Sequence, residues 1–241
     1  MQSQLLKEIL QTAKSLKNQS LAVFDLDSTL FDVMPRILQV IASFADDPAN
    51  EKQFPDSIKV LKEMQLLKSD WGLKNAVIRA GLGDHAEEFH EALKKHWRKY
   101  FFCNEFLHFD IPYDGAVDFV QSLHKNKVQI VYLTGRDVER MGQGSVEVLQ
   151  KWKFPINDTD AQLVLKPKKG MDDAQFKSDW FSKINTDHLK KIWFFENEPA
   201  NINLVRQCHQ HVQVVFFEST HSGKADPPSD LPKIIHYLLE E

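Results

Sequence analysis

Asp25 and Asp27 stand two residues apart in "LAVFDLDSTLFD", where an apolar run stops at a carboxylate. Residues two apart on a strand point to the same side, so these carboxylates repel each other unless a positive charge sits beside them. Other reactive groups also follow apolar runs. "VYLTGRD" ends on Thr134, a turn glycine at Gly135 and Arg136, and "IWFFEN" ends on Glu196 and Asn197. Between them "LKPKKGMDDAQFK" supplies Lys166, Lys168, Lys169 and Lys177. Carboxylates, a hydroxyl beside a turn glycine and a lysine, brought to one point, suit a hard cation and a phosphate. Mg²⁺ binds a few carboxylates together with phosphate oxygens and offsets the repulsion between the acids.

These groups need elements to bring them together. Residues 4–17 place Leu5, Leu6, Ile9, Leu10 and Ala13 on one helical stripe, and "LAVFD" reads as a short buried strand. From Phe31 to Phe109 the pattern is helical, with breaks at Asp47-Pro48, Pro55 and 81–84. On the helix around "KKHWRKYFF", Trp97, Tyr100 and Phe101 form the packed side. After "DIPYDGA" helix and strand alternate through "VQIVYLT", "AQLVLK", "KIWFFE" and "VQVVFFE", and "TDHLKK" and "DLPKIIHYLLEE" read as helices. Short apolar strands separated by helices predict an α/β fold, a doubly wound parallel sheet covered on both faces. The expected division is a core of residues 1–32 and 110–241 with an all-helical domain, 33–109, inserted after the first strand. Ligands of such sheets bind beyond the carboxyl ends of the strands, so the insertion overhangs the reactive groups as a lid.

The 241 residues carry 42% apolar and 27% charged side chains, which suits a globular protein with a real core. A net charge of -4 argues against general affinity for nucleic acid or anionic membranes, and no apolar run reaches the length of a membrane span. Cys103 and Cys208 are too few for a disulfide framework, and a cytoplasmic location is the default expectation. Cys208, His209 and His211 lack the other spaced ligands of a zinc site and read as surface residues.

"DLDSTLFD" resembles the first motif of the haloacid dehalogenase superfamily, Asp-x-Asp-x-Thr/Val. "IVYLTGRD" is similar to the second motif, and "IWFFENEPANI" sits where the acidic fourth motif belongs, in the family's order. The insertion matches one of the family's usual cap positions. The resemblance implies a Rossmann-like core and a Mg²⁺-dependent phosphatase acting on a small phosphomonoester. Asp25 is then the nucleophile that forms an aspartyl-phosphate, while Asp27 protonates the leaving oxygen and afterwards activates water. Thr134 and the backbone at Gly135 bind phosphoryl oxygens. Lys177, nineteen residues before Glu196, has the family's spacing for the third-motif lysine, with Lys166 as the alternative. The implied Mg²⁺ ligands are Asp25, the carbonyl of Asp27 and Glu196, with Asn197 as a neutral contributor. Glu196-Asn197 departs from the usual aspartates and leaves that site with less negative charge. Two other readings use the same residues: a phosphomutase, and a phospho-ligand binding protein without catalysis.

Overall fold

Helix α1 (Gln2–Leu16) leads through a turn of 3₁₀ helix into strand β1 (Ser20–Phe24), the first strand of the sheet. A computed structural model describes residues 2–67, 70, 72–157 and 159–240 of the chain. All five residues of β1 are buried, because both faces of the strand are covered. The chain then passes through a two-residue strand β2 (Phe31–Asp32) into a helical segment. That segment holds α2 (Met34–Ala45), α3 (Pro48–Gln53), α4 (Pro55–Glu63), α5 (Gly72–Val77) and α6 (Glu87–Tyr100). It returns through β3 (Ile111–Pro112), which pairs antiparallel with β2.

The rest alternates: α7 (Ala116–Lys125), β4 (Gln129–Asp137), α8 (Val138–Lys151), β5 (Ala161–Lys166), α9 (Asp173–Lys183), β6 (Lys191–Glu196), α10 (Pro199–Cys208) and β7 (Val212–Phe217). Short β8 (Lys233–Ile234) completes a parallel sheet in the order β5-β4-β1-β6-β7-β8. The period of two in each strand divides its side chains between two layers. Ala22, Phe24, Ile130, Tyr132 and Phe195 pack under α1, α7 and α8, while Leu21, Val23, Leu133 and Phe194 pack under α9 and α10. The helical segment has its own apolar cluster, built around Ile41, Phe44, Ile58, Leu61, Leu82 and Phe89. The chain climbs outward from β1 through β4 to β5 on one side and through β6 to β8 on the other. A crevice therefore opens at the carboxyl end of β1, where Asp25 lies.

Two stretches differ from the sequence expectation. Residues 230–240 form no helix, because the edge of β7 offers their backbone other partners. Phe216 N–H donates to Pro232 O, Glu218 N–H to Ile234 O, and Tyr237 N–H to Asp114 O. "TDHLKK" forms turns and bends instead of a helical stretch, and β6 starts at its last residue, Lys191. Among the described residues no helix is long and apolar enough to cross a membrane.

Candidate active site

Strand β1 ends one residue before Asp25, whose N–H still donates to Phe195 O at 3.0 Å. The chain then turns sharply. Leu26 O accepts from Thr29, Leu30 and Phe31 N–H groups, and Ser28 takes the left-handed φ of 61°. This turn sends the two aspartates to different cations, which offset their mutual repulsion.

Asp25 Oδ1 accepts from Lys177 Nζ at 2.5 Å, and the same ammonium donates to Glu196 Oε2 at 2.6 Å. Lys177 comes from the second turn of α9 and Glu196 from the last position of β6, and both are buried. Burial is the largest influence on Asp25 and lifts its pKa to about 8, against the pull of Lys177. Burial works against the charge of Lys177 as well, but Asp25 and Glu196 outweigh it and hold that ammonium more firmly protonated than usual. Glu196 is saturated with donors: Oε1 accepts from the Asn197 and Glu198 N–H groups, and Oε2 also accepts from Asn201 Nδ2. On the other side of Asp25, the Thr29 hydroxyl lies 3.3 Å from Asp25 Oδ2 and 3.0 Å from Asn197 Oδ1.

Asp27 meets two guanidiniums. Arg136 donates to it through Nε at 3.1 Å and Nη2 at 2.7 Å, and Arg36 donates through Nη2. Arg136 Nη2 also reaches Asp110 Oδ2 at 2.7 Å, and Arg36 Nε lies 3.0 Å from Asp110 Oδ1. Two cations and two anions thus neutralise one another between the turn after β1, α2, the residue before β3 and the end of β4. Burial favours the neutral acid, but Arg136 and Arg36 hold the Asp27 carboxyl well below the usual carboxylate range. For Asp110 burial wins over both arginines and raises the pKa to about 6. The Asp27 side chain is 32% exposed and faces the cleft. Sequence reasoning left Arg136 open and passed over Arg36 and Asp110. The one signal for Arg36 was a charge inside the apolar run "VMPRILQVIASFA".

Thr134 is fully buried, and its Oγ1 accepts from Arg136 N–H at 3.2 Å. Gly135 and Arg136, not Thr134, line the cleft. A Cβ on Gly135 would fall 2.8 Å from Asp173 Oδ2, so a side chain there collides with the start of α9. Lys166 donates to Asp173 at 2.5 Å and to Met171 O, so its charge is spent away from Asp25. Lys168 and Lys169 are exposed. His209, expected at the surface, is buried with a ring nitrogen 3.1 Å from Ser178 Oγ, whereas Cys208 and His211 are exposed.

The oxygens that would hold a hard cation here are Asp25 Oδ2 and Asn197 Oδ1, which flank the Thr29 hydroxyl, with the main-chain carbonyl of Asp27 as the expected third. That donor chemistry fits a divalent ion that keeps waters and takes the rest of its shell from phosphate. Among the described residues, no three His, Cys, Asp or Glu side chains gather as a ligand cluster. Above these residues lies a cleft of about 1680 Å³, floored by the strand ends and roofed by the helical segment.

Residues 20–171 match the family described as haloacid dehalogenase-like hydrolase. No curated protein matches the sequence. Among solved structures, a predicted phosphoglycolate phosphatase from Haemophilus somnus 129PT is 15% identical, with a TM-score of 0.54 over 92% of this chain and 95% of its own. A haloacid dehalogenase-superfamily hydrolase, subfamily IA, variant 1, from Geobacter sulfurreducens PCA is 12% identical, with a TM-score of 0.51 over 92% and 94%. At such identities the likeness is one of fold.

Proposed function

The chain belongs to the haloacid dehalogenase-like hydrolases, and on that footing we propose that it hydrolyses phosphomonoesters through Asp25. One observation carries the reading. A buried lysine joins the carboxylate at the end of the central strand to a second buried carboxylate, at the floor of a cleft large enough for an organic ester.

In this reading Asp25 attacks phosphorus. The new bond joins its carboxylate oxygen to phosphorus while the ester P–O bond breaks, and the resulting aspartyl-phosphate is then cleaved by water. Lys177 fixes Asp25 Oδ1 and brings a positive charge to the phosphoryl group. Backbone N–H groups near Gly135 face the phosphoryl oxygens, with Thr134 holding that turn through Arg136 N–H. Asp25, the Asp27 carbonyl and Asn197 would hold Mg²⁺, which when bound would supply positive charge to offset the phosphoryl oxygens and keep Asp25 ionised. Glu196 joins that set only by giving up one of its N–H donors. Otherwise it acts by holding Lys177 in place. Asp27 transfers a proton only when a guanidinium gives way, and Arg36, carried by α2, is the one that moves with the helical segment. That segment serves as the cap, with β2 and β3 as its hinge.

The test is hydrolysis of 4-nitrophenyl phosphate and a panel of alkyl phosphates, with and without Mg²⁺, by wild type and Asp25→Asn. Mg²⁺-dependent turnover that disappears in the variant is expected. Failure of the wild type on every ester sinks the reading, and activity surviving in Asp25→Asn removes the nucleophile.

A further inference from the structure

The roof of the cleft differs from its floor. The floor is ionic, made of Asp25, Asp27, Lys177 and Glu196. The roof is apolar and partly aromatic: Ile37, Val77, Ile78, Trp97 and Phe101 all line it. Trp97 and Phe101 stack, with ring centroids 4.4 Å apart and planes 13° from parallel. The Arg36 guanidinium lies 4.3 Å from the centre of the Phe101 ring and also binds Asp27, so the aromatic pair stands on the catalytic turn itself. The sequence placed Trp97 and Phe101 on the packed side of their helix, yet both stay only part-buried. Ile78 is 54% exposed, which costs free energy on a free surface but fits a wall awaiting an apolar occupant.

On the same wall Lys94 pairs with Glu91 at 3.0 Å and Asp70 with Arg79 at 2.7 Å, while Lys74 is exposed.

We propose that the leaving group held under this roof is a flat aromatic body, packed against Trp97 and Ile78. This rests on the phosphatase reading and narrows it to phosphomonoesters of aromatic alcohols.

The experiment compares 2-(indol-3-yl)ethyl phosphate with ethyl phosphate, two alkyl esters whose phosphate linkage is the same. Wild type favours the indole ester in kcat/KM by about tenfold or more, the size expected of aromatic stacking with apolar burial. The ratio falls to within about threefold in Trp97→Ala and in Ile78→Ser, the second being an exposed position where folding is not at stake. Calorimetry with the two matching phosphonates gives an arm independent of turnover. Equal kcat/KM and equal phosphonate affinity, or a preference that both variants retain, overturns the proposal and leaves the phosphatase reading intact. No hydrolysis of either ester, with the indole phosphonate still bound at least tenfold tighter and both variants abolishing that gap, overturns the phosphatase reading. The aromatic site then stands as a ligand site.

Discussion

Lys177 is the single cation between two buried carboxylates, so its removal has two separable effects. Lys177→Met takes the shared buried cation from Asp25 and Glu196, a loss of about 3–5 kcal/mol in urea unfolding. It also removes charge stabilisation at the phosphoryl group, lowering kcat by about 100-fold or more. Lys166→Met, which breaks a pair with the half-exposed Asp173, changes stability by less than about 1 kcal/mol and leaves kcat near wild type. Asp110 sets a pH signature. Its folded pKa of about 6 lies above the unfolded value near 3.9, so the folded state binds the extra proton. The stability this adds is complete below about pH 4 and is lost as pH rises through 6. In thermal melts of the metal-free protein, wild type minus Asp110→Asn should therefore fall between those values. A flat difference contradicts the assignment. Asp25, Glu196 and Asn197 were readable because each ends or follows an apolar strand, and Lys177 because its spacing to Glu196 matches the family it resembles. The Arg36–Asp110 pair was not readable: Arg36 sits in the first helix of the helical segment and Asp110 just past its end, and only tertiary folding makes them neighbours.

At the scale of elements, the helical segment has an apolar cluster separate from the two that sandwich the sheet. We propose that residues 33–109 open as a unit about β2 and β3. Phe89 is fully buried and meets Phe44 and Phe54 edge-on, so Phe89→Ala costs about 3–5 kcal/mol. Hydrogen exchange should then speed up in α2, α4 and α6 while the amides of β1, β4 and β6 keep their protection. Loss of protection in both regions together would show one cooperative body instead. The alternation of strand and helix was legible because a strand covered on both faces is a short continuous apolar run. The segment after Asp230 was misread for the same reason. Its apolar residues suit helix and strand alike, and the open edge of β7 decided between them.

Across the whole molecule, the site draws on distant parts of the chain. Tyr237 is buried against Phe119 and Phe217, and its hydroxyl donates to Thr29 O at 3.2 Å, behind the turn that carries Asp25 and Asp27. Gly115 permits this approach: it sits at φ +77°, and a Cβ there would fall 2.6 Å from the Tyr237 carbonyl carbon. Gly115→Ala is expected to destabilise by more than about 1 kcal/mol and to lower kcat, both checked in one purified variant. Unchanged kcat in a destabilised variant would detach the tail from the chemistry. Thr29 precedes Tyr237 by 208 residues. The ribosome therefore releases the turn that carries Asp25 some 208 residues before the Tyr237 hydroxyl that braces it, and until Tyr237 has emerged that turn lacks this one support.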